Sequence, residues 1–235
     1  MRKITVLFLL AFALAWAPFA HAQLSFNADF AQDGAYETSW PMKADDVASV
    51  DIYVSNVPEP GLISMGFKLT YDPGKLSVES AGVDEVNWPY PFAGGFVDLS
   101  IDGEIVMAGF RVLEGLAGDN IRLGTVTLRC ITEGTSAFTM LDREGDWFVL
   151  DSEEEIVLDG DIGAGVLLTT IRPPILGDVN GDGLVNLADA IVVLKAMAQM
   201  GQGNVLHTTG DVNGDGKIGL AEASYVLQKT VGMRE

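Results

Sequence analysis

The heptapeptide GDVNGDG runs from Gly177 to Gly183 and returns, letter for letter, from Gly210 to Gly216. Taking the aspartate of each copy as position 1, the first copy places Asp178, Asn180, Asp182, Leu184, Asn186 and Asp189 at positions 1, 3, 5, 7, 9 and 12. The second places Asp211, Asn213, Asp215, Lys217, Gly219 and Glu222 at the same positions. Oxygen donors at this spacing, with a glycine at position 6 (Gly183, Gly216) for the sharp turn, make a calcium loop. Position 7 offers a backbone carbonyl, so leucine and lysine serve equally; position 9 often acts through water, so Gly219 is acceptable. Each loop gathers three carboxylates, and their mutual repulsion calls for a divalent cation among them. Calcium accepts such flexible oxygen ligands more readily than magnesium, which demands octahedral geometry. The expected complement is two Ca²⁺. The second copy ends in glutamate and satisfies the full pattern, whereas the first ends in the shorter Asp189. Solvated Asx-turns explain one such copy, not two.

Downstream of each loop the spacing becomes helical. Leu187, Ile191, Leu194 and Met197 recur at i, i+4, i+7 and i+10, and Leu220, Tyr225, Val226, Leu227 and Val231 form a less regular second set. The approaches to the loops are not helical: Pro173-Pro174 precede the first and Gly201-Gln202-Gly203-Asn204 the second. Each repeat therefore reads as a loop followed by an exiting helix, EF-hand-like but without the entering helix. Val185 and Ile218, both at position 8, are expected to pair the loops back to back. A core this thin makes metal part of the folding free energy.

Upstream, residues 24–171 alternate with period two. Val50, Ile52 and Val54 share one face; Ile63, Met65, Phe67, Leu69 and Tyr71 share another; Val126, Leu128 and Cys130 a third. Turn signals punctuate these runs at Pro58-Glu59-Pro60-Gly61, Asp72-Pro73-Gly74, Asp102-Gly103 and Glu133-Gly134. The pattern predicts a mainly β chain, an all-β sandwich followed by a small α-helical tail. Cys130, the single cysteine, excludes an intrachain disulfide and reads as a packed core thiol. Arg172-Pro173-Pro174 closes the strand pattern. The expected organisation is a signal peptide over 1–22, the sandwich over 23–171, a linker over 172–176 and the tail over 177–235.

The leader MRKITVLFLLAFALAWAPFAHA has a basic pair, an apolar run and small residues, Ala20 and Ala22, before a cleavage point ahead of Gln23. It predicts export to the extracellular space, the periplasm or the cell surface. No later apolar stretch is long enough to span a bilayer. Without Arg2 and Lys3, 12 basic residues face 33 acidic ones, a net charge of −21. Such a chain repels phosphate backbones and anionic lipid, which argues against nucleic acid as a partner.

The tail GDVNGDGLVNLADAIVVLKAM…GDVNGDGKIGLAEASYVLQK resembles a dockerin of the type I, two-repeat kind. VDIYVSNVPEPGLISMGFKLTYDPGKLSV (residues 50–78) resembles the opening half of a cohesin domain, and RLGTVTLRCITEGTSAFTM (residues 122–140) its later part. The resemblance implies a cohesin-like jelly-roll β-sandwich, akin to certain carbohydrate-binding modules, followed by a dockerin holding two calcium ions. It further implies calcium-dependent cohesin–dockerin interaction in extracellular polysaccharide degradation, with cohesin- or dockerin-bearing proteins as partners. The short linker favours head-to-tail self-association over docking within one molecule. Dockerins recognise partners through loop positions 10, 11, 17 and 18. Here these are Leu187, Ala188, Leu194 and Lys195, then Leu220, Ala221, Leu227 and Gln228. Leu-Ala replaces the Ser-Thr-like pair of many dockerins, so the implied contact is more apolar. The opposing expectation is that the four leucines face the tail's own core.

An enzyme is not expected. HExxH, G-x-S-x-G and phosphate-cradling motifs are lacking, and the acidic run Asp151–Glu155 reads as a solvated surface. The alternative reading is a carbohydrate-binding module with a dockerin tail. Polysaccharide recognition would call on exposed aromatics, and Trp88 and Tyr90 in NWPYPF are the candidates. The competing expectation for Trp88 is packing against the sandwich rim.

Overall fold

The computed structural model describes residues 24–90, 95–112, 114–143, 147–149, 165–200 and 206–234. The leader and the acidic run Asp151–Glu155 lie outside the described residues. Among those described, twelve strands precede two helices. Strands β1 (Ser25–Asp29), β3 (Val47–Ser55), β5 (Leu76–Val83) and β9 (Ile121–Cys130) make one sheet in the order β1-β3-β9-β5, antiparallel throughout. The second sheet runs β2 (Ser39–Pro41), β12 (Val166–Arg172), β10 (Ser136–Asp142), β4 (Val57–Thr70), β7 (Glu104–Phe110), β6 (Phe96–Asp98). Two short strands, β8 (Leu116–Gly118) and β11 (Phe148–Val149), add to β4. The β2–β12 pair is parallel.

Alternation does what period two requires. Val50, Ile52 and Val54 are fully buried, as are Val126 and Leu128, with Cys130 beside them. Met65, Phe67 and Leu69 face the same core, while Ile63 and Tyr71 are half-buried at the ends of that run. The inner faces of the two sheets thus close one hydrophobic core, the arrangement of a β-sandwich. Burial pushes the Cys130 thiol up, in keeping with a packed rather than reactive cysteine. One expected turn is not a turn. Pro58-Glu59-Pro60-Gly61 lies inside β4, where pairing with β8 skips from Val57 to Leu62. Gly61 is needed there because its φ is +98° and a Cβ would meet the Gly115–Leu116 backbone at 2.6 Å. The prolines sit where the ladder is interrupted, the place a strand tolerates them.

Trp88 corrects the sugar-platform expectation. Its ring is completely buried in the sandwich core and its indole N–H donates to the Arg122 carbonyl at 3.0 Å. A ring with no exposed face offers nothing to a polysaccharide; apolar burial with a satisfied N–H is the stable use of tryptophan. Tyr90 is half-exposed and stacks on Phe110 with centroids 5.4 Å apart.

Beyond Arg172 the tail contains α1 (Leu187–Met197), a 3-10 turn (Thr208–Gly210) and α2 (Leu220–Thr230). Its buried apolar residues are small: Val179, Ala190, Val193, Ala223 and Val226. Val192, Leu206 and Ile218 are half-buried against this cluster.

Candidate calcium-binding and docking site

The two loops fold alike because their side chains satisfy their own backbones in the same way. The position-5 N–H donates to the position-3 amide oxygen: Asp182 to Asn180 at 3.0 Å and Asp215 to Asn213 at 3.1 Å. The position-7 N–H donates to the position-5 carboxylate at 2.8 Å in both, Leu184 to Asp182 and Lys217 to Asp215. The position-6 glycine N–H donates to the position-1 carboxylate, Gly183 to Asp178 at 3.0 Å and Gly216 to Asp211 at 2.7 Å. Both glycines have φ near the left-handed region, +91° and +76°, which the turn demands.

Position 12 ties each loop to its helix. The Asp189 carboxylate accepts the Val179, Asn180 and Asn186 N–H groups at 2.9, 3.1 and 2.9 Å. Glu222 accepts those of Val212 and Gly219 at 3.3 and 2.6 Å. In α1 this completes a capping box, since the Asn186 side chain accepts the Ala188 N–H. Asp189 and Glu222 are both buried, and burial pushes the Asp189 carboxyl above its ordinary range despite the three donors. Asp211 is half-buried, and its loop amides, Gly216 foremost, hold it below the ordinary range.

The loops meet at their starts. Gly177 N–H donates to the Gly210 carbonyl at 2.9 Å and His207 N–H to the Val179 carbonyl at 3.0 Å. The two copies are thus joined back to back by main chain at their first glycines. Val185 and Ile218 are each half-buried.

The donor set suits a hard cation: carboxylates, amide oxygens and a position-7 carbonyl in each loop. One atom points to that use. Asp178 is 1% exposed, and its Oδ1 has no hydrogen-bond partner. A buried carboxylate oxygen left unpaired is costly unless a cation takes it. Asp182, Asp215, Leu184 and Lys217 stand at the exposed rims of the loops.

The leucines are not core. Leu187 is 51% exposed, Leu194 46%, Leu220 67% and Leu227 42%. Ile191 and Met197, read with them as one helical stripe, are exposed too. The helices bury instead the adjacent stripe, Ala190 and Val193 in α1, Ala223 and Val226 in α2. The small residues let the helices approach closely, and the large ones are left outside. Ala188, Lys195 and Ala221 share that exposure and Gln228 is half-buried.

Several residues beside loop 1 carry no motif. Arg172 places a guanidinium N–H on Asp178 Oδ2, and its Nε donates to Ser39 Oγ at 3.1 Å. Ser39 Oγ donates to the Gly181 carbonyl at 2.6 Å. The Trp40 ring meets His207 edge-on at 4.6 Å. Burial pulls the His207 pKa down, Asp178 opposing and Arg172 assisting. Elsewhere, Asp29, Asp33 and Glu37 bring ligand atoms within 4.8 Å of one another. Their oxygens already accept the Gly34, Ala35 and Phe30 N–H groups.

Residues 176–228 match the family model of the dockerin type I domain. No curated protein matches the chain. Similar solved structures are cohesin modules. One is a type III cohesin of the cellulosomal ScaE cell-surface anchoring scaffoldin of Ruminococcus flavefaciens, 11% identical over 65% of this chain and 88% of that one, TM-score 0.48. Another is the sixth cohesin of scaffoldin B from Acetivibrio cellulolyticus, in complex with a mutant dockerin, 12% identical over 64% and 98%, TM-score 0.42. A third is a cohesin from Clostridium acetobutylicum, 16% identical over 57% and 86%, TM-score 0.42.

Proposed function

We propose that this chain is a secreted, non-catalytic assembly protein. Its dockerin tail docks onto a cohesin of another protein, and its sandwich acts as a cohesin-like receptor for another dockerin. The setting is an extracellular polysaccharide-degrading assembly. One observation carries the reading: the same loop positions in both repeats, Leu187 with Leu194 and Leu220 with Leu227, expose large apolar side chains on helices whose small residues form the core. A small module gains nothing in its own stability by turning leucines to water; a repeated exposed pair is what a docking surface needs. The loops beneath supply the rigid frame. Bound Ca²⁺, one ion per loop, would neutralise the clustered carboxylates and set the direction of each helix.

The cohesin-like role of the sandwich rests on the sequence resemblance in residues 50–78 and 122–140 together with the two-sheet architecture on which those segments lie. With a receptor and a docking module in one chain, head-to-tail association of copies is available when concentration permits. A sugar-binding sandwich is disfavoured by the burial of Trp88.

Tagged tail and tagged sandwich, each presented to cohesins, dockerins and insoluble polysaccharide with calcium or with chelator, test the assignment. Calcium-dependent retention by a cohesin is the expected result. Retention on polysaccharide with no retention by any cohesin or dockerin would overturn it.

A further inference from the structure

We propose that Arg172 is a built-in competitor for the cation of loop 1, and that filling loop 1 releases a latch holding the dockerin tail against the sandwich. The inference rests on the calcium-loop reading above. The two loops share the heptapeptide GDVNGDG but not an environment. Asp211 is bonded by the amides of its own loop, Gly216, Gly214 and Asn213. Asp178 is bonded by Gly183 and, in addition, by a guanidinium from the last residue of β12. That ion pair is out of water: the Arg172 side chain is 11% exposed and the Asp178 side chain 1%. Among the described residues no lysine or arginine pairs with Asp211.

Arg172 is also the centre of the contact between the modules. Its Nε holds Ser39, whose hydroxyl reaches the loop 1 carbonyl of Gly181, and the neighbouring Trp40 packs on His207. His207 lies so close to Gly181 that a Cβ there would meet its ring at 2.4 Å. Among the described residues, these sandwich side chains hold loop 1 and none is bonded to loop 2. A divalent cation drawn to the unpaired Asp178 Oδ1 comes within a few ångströms of the guanidinium on Oδ2. Like charges in a buried, weakly screened site repel strongly. The cation therefore binds loop 1 only by displacing Arg172, and displacement removes the ionic member of the grip. Loop 2 fills first; loop 1 fills later, and its filling frees the tail to turn relative to the sandwich.

Calcium titration of the mature chain, stripped with EDTA, tests this by calorimetry and tryptophan emission in parallel. Trp40 sits on the loop 1 side, and Trp40→Phe identifies its share of the signal. The wild type should show a tight step silent in Trp40 and a weaker step that changes it. Arg172→Gln should tighten the weaker step at least tenfold and leave the tight step in place, which also shows that the tail remains folded. Arg172→Lys, retaining the charge, should stay within threefold of the wild type. A weaker step unchanged or loosened by Arg172→Gln, or tightened equally by Arg172→Lys, overturns the latch while leaving calcium binding intact. No calcium uptake by the wild type overturns the calcium-loop reading, and the latch with it.

Discussion

Removing calcium from residues 23–235 should lower the melting midpoint of the tail and leave that of the sandwich in place. The tail's fully buried apolar side chains are few: Val179, Val193 and Val226, with Ala190 and Ala223. At about 1.5–2 kcal/mol per buried valine, the three contribute on the order of 5 kcal/mol. A loop saturated at about 100 times its dissociation constant adds about 2.7 kcal/mol, so two loops add about as much as the valines. For a module of this size 1 kcal/mol moves the melting midpoint by about 4–8 °C, so emptying one loop lowers it by about 10–20 °C and emptying both by twice that. The sandwich has an independent core that includes Phe67, Phe138, Trp88 and Trp147, and its sequence contains no copy of GDVNGDG. Calorimetric scans with 5 mM calcium or with excess EDTA (concentrations of about this order) should show two transitions. The smaller should move down by that amount in EDTA, followed by the helical circular dichroism signal of α1 and α2, and the larger should stay. A small transition at the same temperature in both buffers would refute the claim that metal stabilises the tail.

Glu222→Ala removes the carboxylate accepting the Val212 and Gly219 N–H groups, and Asp189→Ala strands three donors instead of two. In saturating calcium Asp189→Ala should cost the tail roughly 1 kcal/mol more than Glu222→Ala, read from urea unfolding of α1 and α2. Leu187→Asp with Leu220→Asp should leave the melting of the tail within about 0.5 kcal/mol of wild type, because both side chains are exposed, while cohesin retention in the pull-down falls at least tenfold. Trp88→Ala should destabilise the sandwich by about 3–5 kcal/mol, measured by denaturant midpoint, with no change in any polysaccharide retention. Burial raises the Glu37 carboxyl above its ordinary value of 4.5, so the folded chain holds more protons than the unfolded one. Its contribution to stability is therefore full below pH 4.5 and is lost as pH rises through the folded value. Glu37→Gln should remove that component from a stability–pH curve.

How much of this was written in the sequence depends on whether the deciding physics is local. Loop geometry is local: Asp, Asn and Gly at fixed offsets bond their own backbone, so GDVNGDG could be read directly, and its two copies fold with the same wiring. The alternation around Ile52, Phe67 and Leu128 is local too, and all three are buried. The helices show where local reasoning stops. The apolar spacing from Leu187 to Met197 marks a helix, yet periodicity does not say which of two adjacent stripes, Leu187-Leu194 or Ala190-Val193, meets the partner helix. The choice follows from close packing against Ala223, a residue in the other repeat. Pro58–Gly61 misled for a related reason: it has turn chemistry, but β8, far along the chain, gives it an interrupted ladder to join. Trp88 has the ring that a sugar platform needs, but its neighbour in space, the Arg122 carbonyl, decides its fate.

The same distinction explains why loops that share GDVNGDG need not behave alike. Within residues 178–189 and 211–222 both repeats carry three carboxylates, and each folds its position-6 glycine onto its position-1 aspartate. Inside them the wiring already differs: Asp211 Oδ1 accepts the Asn213 and Gly214 N–H groups, whereas the Asn180 N–H turns to Asp189 and leaves Asp178 Oδ1 unpaired. Outside them the difference is Arg172, a residue that ends a strand of the other module and belongs to neither motif. A duplicated loop joined to a sandwich by a short link places one copy nearer that sandwich. The nearer copy becomes answerable to whatever charge the domain presents, and here that charge is a guanidinium on the first ligand position. Asymmetry between the repeats is then a property of how the modules are joined as well as of the loops themselves.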